Sequence, residues 1–426
     1  MKALLLRVKN VANDRVTRVL FYDQTLKKGY ASLASFSKLL VLRRILVTLV
    51  AYPLSLLCWI FLVVLNLFTP VQIYRFKRPQ RPGFASVYIE QLEPLCRELQ
   101  ANGHNGFLIF IDASQTTNLE LLKLYATHFN LYLDDRVAFI RTVFALVPRI
   151  GFSSEFVKHS HYNTNWELPP AKNKNIVKPA VIPESISELK LIPLNYVVIS
   201  YPSTKYYLQR IPTIANESNR FIDPTNSVDA MNLLIKRDIK IVRVGMDPDP
   251  LPTALREIPI IDLSGDHRTD LQDLWLFENC LFTWSIGGIG TWHFAHKFDR
   301  PSLVTDCYSH HRGYQTSYFS MRLVHDLKSD RILSLKEMMS LKTVLGRIQE
   351  MKSQGLSSIQ NTPKQLCDAV EEILAFHDGD KSYSSNGNEL LAKYDQICRD
   401  LGMPERKISH SRPCVSFLKS NQTIIF

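Results

Sequence analysis

Covalent cross-links are the first thing this chain of 426 residues has little means to make. Its seven cysteines (Cys58, Cys96, Cys280, Cys307, Cys367, Cys398 and Cys414) are odd in number and scattered, with no CxxC pair and no zinc-ligand spacing. That disfavours a disulfide framework or a structural zinc site and fits a reducing compartment. No GxSxG, SxxK or Cys/His arrangement with local support appears, and no GxGxxG is present, so the usual nucleophile and dinucleotide signatures are missing. Repeats and low-complexity tracts are missing as well. With 46% hydrophobic and 21% charged residues, the composition is that of a globular protein able to bury a full core.

Acidic residues are nearly absent from the first 81 positions. Residues 1–44 carry ten Lys/Arg against Asp14 and Asp23, a contribution of +8, and 45–81 add +4 through Arg75, Lys77, Arg78 and Arg81. Of the total of +11, about −1 is therefore left for everything after Arg81. A duplex binder needs its positive field on the folded surface, so nucleic acid is not the expected partner.

What the basic residues flank is an apolar run. Residues 45–68 read ILVTLVAYPLSLLCWIFLVVLNLF, 24 positions without a charge. As a helix this is about 36 Å long, against a hydrocarbon core of about 30 Å. It begins too late for an ordinary signal peptide. Positive charge on both sides argues against a simple crossing, and Pro53 suits a kinked, re-entrant or in-plane helix. The expectation is a membrane anchor at 45–68, preceded by a basic amphipathic region at 1–44 that can lie on anionic lipid, with the body in the cytoplasm.

The body alternates strand and helix signals. A strand at 106–112 is followed by an amphipathic helix near 118–129, and the Pro-rich stretch 163–193 breaks all periodicity. Strands are then expected at 195–200, 240–245, 258–263, 280–285 and 302–306, with helices at 225–236 and 270–279 between them. Such alternation predicts βαβ units and a parallel sheet covered on both faces. The expected fold class is α/β with two Rossmann-like lobes, at 84–190 and 195–345, and helices with a tail at 346–426.

The sharpest local feature is Phe282-Thr-Trp-Ser-Ile-Gly-Gly-Ile-Gly290, a strand that ends at Ser285 and opens into Gly287, Gly288 and Gly290 before a helix starting near Thr291. Such a turn lets backbone N–H groups approach a diphosphate, although a glycine-rich strand-to-helix turn is as often purely structural. Arg243, just before Gly245, interrupts an apolar strand; a guanidinium there either pairs with a buried carboxylate or faces a phosphate. His267 and Arg268 follow a strand end where open α/β sheets bind ligands. Thr269 and Gln272 form a capping box, and Asp270 and Asp273 favour the same helix start. Asp112 ends the strand GFLIFID and is either a general base or a local cap. Asp247-Pro-Asp249 spells a DxD, but its prolines make it a turn. His293 with His296, and His310 with His311, lack a convergent third ligand, so no metal is expected.

Several blocks in order resemble a bacterial glycosyltransferase family encoded with surface-polysaccharide genes. They are Pro70-Val-Gln-Ile-Tyr-Arg-Phe-Lys-Arg78, Lys236-Arg-Asp-Ile-Lys-Ile-Val-Arg-Val-Gly245, and Ile260-Ile-Asp-Leu-Ser264 leading into Asp270-Leu-Gln-Asp-Leu-Trp-Leu276. The glycine turn, Arg300-Pro301, Arg331-Ile-Leu-Ser-Leu-Lys-Glu-Met338 and residues 361–372 follow. The likeness runs from about 45 to 375 and is densest at 236–306. It implies a GT-B-like architecture, a nucleotide-sugar donor on the second lobe, no cofactor and no required metal. It further implies a glycan or lipid-linked acceptor and residence at the bacterial inner membrane. On this resemblance Asp112 is the catalytic base, and Arg243, Gly245, Ser285, Gly287, Gly288, Gly290 and Thr291 hold the donor diphosphate. Lys205, Asp262, His267, Arg268 and Asp273 contact donor or acceptor. The chain departs from the family where a histidine and arginine are usual, reading Val197-Val-Ile-Ser-Tyr-Pro-Ser-Thr-Lys205, and in Arg81-Pro-Gly-Phe84. Two alternatives stay open: a pyruvyl- or other group-transferase of the same fold, and a non-catalytic scaffold for polysaccharide assembly.

Overall fold

A computed structural model describes residues 72–75, 107–112, 118–129, 131–134, 157–159, 182–206, 222–287, 291–307, 317–341, 348–379, 384–403 and 411–426, with a few single positions between 53 and 97. The chain divides into two compact units, Met1–Asn165 and Trp166–Phe426. The basic region 1–44 and most of the apolar run lie outside the described residues. Leu54, Leu57 and Ile60 are described there, helical and exposed. Among the described residues no helix is long and apolar enough to cross a membrane.

The first unit contains a four-stranded parallel sheet of β1 (Gln72–Arg75), β2 (Phe107–Asp112), β3 (Leu131–Asp134) and β4 (Val157–His159), in the order β3-β2-β1-β4. The sheet thus includes Gln72–Arg75, ahead of the lobe boundary expected at 84, and β1 is one of its two interior strands. Helix α1 (Leu119–His128) starts where the Asn118 side chain accepts from the Leu121 N–H, and it buries Leu121, Leu122 and Tyr125. Tyr125 donates to Glu93 at 2.6 Å, so its buried hydroxyl is satisfied. Residues 137–147, a further apolar run in the sequence, lie outside the described residues.

The second unit is α/β and Rossmann-like. Its sheet has seven parallel strands: β5 (Tyr196–Ser200), β6 (Lys240–Arg243), β7 (Ile260–Asp262), β8 (Phe282–Ile286), β9 (Ser302–Cys307), β10 (Ser317–Met321) and β14 (Ser411–Pro413). The order is β14-β10-β9-β8-β5-β6-β7. The chain starts in the middle at β5, runs out to β7, then returns to β8 on the other side and runs to the opposite edge. Strand order therefore reverses between β5 and β8, which is where open α/β sheets leave a crevice at their carboxyl ends.

Buried on both faces, the central strands read as near-continuous apolar runs such as Tyr196-Val-Val-Ile199. Trp284 is the largest fully buried side chain, and its indole N–H donates to Thr305 at 3.0 Å. Between the strands lie α3 (Val228–Lys236), α4 (Thr253–Arg256), α5 (Asp270–Asn279) and α6 (Trp292–Lys297), with the short α2 (Glu184–Glu188) ahead of β5. Beyond β10 a small antiparallel sheet of β11 (Leu323–Asp326), β12 (Arg331–Ile332) and β13 (Leu356–Ile359) accompanies α7 (Leu335–Ser340) and α8 (Ile348–Ser353). Helix α9 (Pro363–His377) packs against α3 and buries Leu366, Ala369, Val370, Ile373 and Leu374, the spacing of a helical stripe. Then come α10 (Ser385–Asp400), α11 (Val415–Ser420) and α12 (Gln422–Ile425).

Candidate functional site

The carboxyl edge of the seven-stranded sheet gathers polar groups strand by strand. Ser200 ends β5 and stands beside Ser285 of β8 in the parallel register. Both hydroxyls bond Thr291, at 2.5 Å from Ser200 and 2.6 Å from Ser285. Thr291 lies just ahead of α6, and its hydroxyl sits at the ends of β5 and β8, the point where strand order reverses. Gly287 has φ of 79°, a left-handed conformation that only glycine adopts cheaply. Its N–H donates to the Thr305 carbonyl at 2.9 Å. That amide closes the sheet ladder instead of facing a diphosphate, because β8 and β9 stay paired to the end of the strand. Gly288 and Gly290 lie outside the described residues.

Arg243 is only 6% exposed, and its contacts differ from an open phosphate site. One guanidinium nitrogen meets the Asp262 carboxylate at 3.0 Å and the other donates to the Asp249 carbonyl at 2.6 Å. Arg243 and Asp262 are register partners on β6 and β7, so the pair joins two strand ends. A buried guanidinium held this way is committed; of the two roles open to it, the carboxylate partner is the one present. Asp262 uses its second oxygen on Ser264, accepting from the backbone N–H at 3.1 Å and from the hydroxyl. Gly245 accepts from the Gly265 N–H at 3.0 Å, tying the loops after β6 and β7 together.

Asp249 has a second function in the loop. Its carboxylate accepts from the Thr204 N–H at 2.6 Å and the Lys205 N–H at 3.3 Å, while the Ser203 hydroxyl donates to the Asp247 carbonyl. The expected turn at Asp247-Pro-Asp249 is thus pinned on the segment that follows β5. Lys205 is exposed, with its ammonium 4.0 Å from Asp247.

Arg268 and Asp273, expected to touch ligand, face each other: the Arg268 Nε donates to Asp273 at 2.7 Å, and a terminal nitrogen meets Asp270 at 2.7 Å. The physical reason is burial, since an isolated carboxylate inside α5 would be costly without a cation. Burial pushes the Asp273 carboxyl up to about 6, and the Arg268 charge opposes it. The other Asp273 oxygen, Oδ1, has no hydrogen-bond partner among the described residues. His267 is exposed in the turn before the helix. The Thr269–Gln272 capping box is present.

Asp112 ends β2 in the first unit, opposite Asp134 of β3. Among the described residues no group of three or more His, Cys, Asp or Glu side chains could hold a metal ion.

Ser200 was not legible as a site residue, because only the strand order brings the last hydroxyl of YVVIS beside that of FTWSI. A second cluster was missed for the same reason. Asp306, with φ of 55°, accepts from the Asn361 backbone N–H at 2.8 Å, and Arg322 donates to the Asp306 carbonyl at 3.1 Å. All three are buried, and burial raises the Asp306 carboxyl. No protein-family model and no curated protein matches this chain.

Proposed function

We propose that the chain is a membrane-attached, metal-independent glycosyltransferase that moves a sugar from a nucleotide-sugar donor to a surface-polysaccharide, lipopolysaccharide or glycolipid acceptor. The observation that carries this reading is the coincidence of the glycine turn with the topological switch point. Gly287 and Thr291, which flank that turn, lie at the carboxyl ends of β8 and β5, where open α/β sheets bind nucleotides. The two-lobed GT-B-like architecture and the sugar-nucleotide substrate come from the resemblance and from the parallel sheet in each unit. The uncharged run 45–68 supports attachment to the bacterial inner membrane, with the body on its cytoplasmic side.

In this reading Asp112 deprotonates the acceptor hydroxyl as it attacks the anomeric carbon, and the leaving diphosphate departs from the switch-point turn. Thr291 and the turn take the donor, with the buried Ser285 behind Thr291; Lys205 and His267 are exposed and left for donor or acceptor, while Asp262 is paired with Arg243. Arg243, Arg268 and Asp273 shape the edge without touching substrate.

One observation favours a non-catalytic scaffold instead: two groups expected to neutralise the leaving group, Arg243 and the Gly287 N–H, are both engaged within the fold. Thermal unfolding with UDP, GDP, CMP or ADP separates the readings, because a ligand of the native state stabilises it by mass action. A selective upward shift, unchanged by EDTA, is expected of the transferase. A flat response to every nucleotide would favour the scaffold or a transferase with another donor.

A further inference from the structure

Three hydroxyls meet at the switch point, and their protons can be counted. Ser200, Ser285 and Thr291 each bring one O–H donor and two acceptor lone pairs. Two hydrogen bonds join them, Ser200 to Thr291 and Ser285 to Thr291. Two protons are consumed, and one remains.

Burial decides which. Ser200 is 2% exposed and Ser285 fully buried, whereas Thr291 is partly open. If either serine accepted from Thr291, that serine would keep an unused O–H inside the sheet, a costly state for a buried donor. If both serines donate, every buried proton is satisfied, and Thr291 accepts twice through its two lone pairs. The Thr291 proton is then turned away from both serines.

We infer that Ser200 and Ser285 are positioning residues that fix the Thr291 hydroxyl as a single outward donor to an acceptor oxygen of the bound ligand. This rests on the donor reading above, under which that acceptor is a phosphate oxygen of the nucleoside diphosphate. Ser200 thereby joins the site, although it touches no substrate. The arrangement also sets a sign: Thr291 gives a hydrogen bond and has no lone pair left to receive one. An acceptor oxygen is bound there, and a protonated group such as an ammonium is not favoured.

The test measures the affinity of the intact protein for the nucleotide of the UDP, GDP, CMP and ADP panel that binds best, and for inorganic diphosphate, with melting temperature recorded alongside. Thr291→Val keeps the shape and removes the donor; a loss of about tenfold in nucleotide affinity is expected, of the order of one hydrogen bond to a charged oxygen. Thr291→Ser is expected to restore binding to within about twofold. A role in stability alone would lower the melting temperature without separating valine from serine in affinity. Should Thr291→Val not fold, the paired change Ser200→Ala with Ser285→Ala removes the two donors together with their burial cost. Freed from its fixed rotor, Thr291 is then expected to bind about three- to tenfold more weakly. Wild-type binding matched by both the valine and the double-alanine proteins overturns the hydroxyl assignment and leaves the donor reading standing. A wild-type protein that binds none of these ligands overturns both.

Discussion

Arg243 is the residue whose role changes most between sequence and structure. In an apolar strand its charge draws attention to phosphate, but the register places Asp262 opposite it and the loop carbonyl of Asp249 beside it. Arg243→Ala is therefore expected to lower unfolding free energy by about 2–4 kcal/mol, since truncation leaves a carboxylate and a carbonyl unanswered. Equilibrium denaturation with urea checks this, and Arg243→Lys should recover only part, because a point charge does not reproduce the two-pronged geometry. Asp273 gives a prediction in pH. Its carboxyl is held up to about 6 in the fold against an ordinary value near 3.8. The folded state therefore prefers the protonated acid, and that stabilisation is complete below about 3.8 and lost as pH rises through about 6. Stability of the wild type relative to Asp273→Asn should accordingly fall between those limits and level off above them, as followed by denaturation at a series of pH values.

Elements differ in how legible they are. Helix α5 could be read end to end, because Thr269, Gln272 and the acidic first turn are local signals that no tertiary contact needs to supply. The strands β5, β8 and β9 are apolar enough to announce themselves. The edge strand β14 and its neighbour β10 are not, being built from Ser-Arg-Pro and Ser-Tyr-Phe-Ser-Met; they exist because neighbours supply their hydrogen bonds. β1 was hidden by its basic flank, where Arg75 reads as membrane-adjacent charge. The site divides in the same way: the glycine turn is written in one stretch, but Ser200 and Asp306 depend on strand order that no local pattern encodes. One such long-range device is testable. The Glu372 carboxylate of α9 accepts from the Val415 and Ser416 N–H groups at 2.8 and 2.9 Å, capping α11 from another helix. Glu372→Ala should cost about 1–3 kcal/mol. Hydrogen exchange should quicken first in 411–420 and leave the central strands protected.

At the scale of the whole molecule, the division at Asn165 and Trp166 predicts that a fragment of residues 182–426 folds without the rest. A single cooperative thermal transition with native-like circular dichroism would bear this out; a broad, non-cooperative melt would refute it. The seventh strand has a consequence for how that fold is reached. Ser317 of β10 pairs with Ser411 of β14, so this seam closes a long loop, a non-local contact of the kind that forms slowly. Until then β10 is an uncovered edge with free amides and carbonyls and an apolar face, the kind of template on which chains stick to one another. A protein lacking 411–426 should keep that edge open permanently and scatter light on concentration, while the intact chain stays clear. Late closure of this seam makes the interval before it, more than the finished structure, the time at which the protein is most exposed to self-association and most dependent on a chaperone's protection.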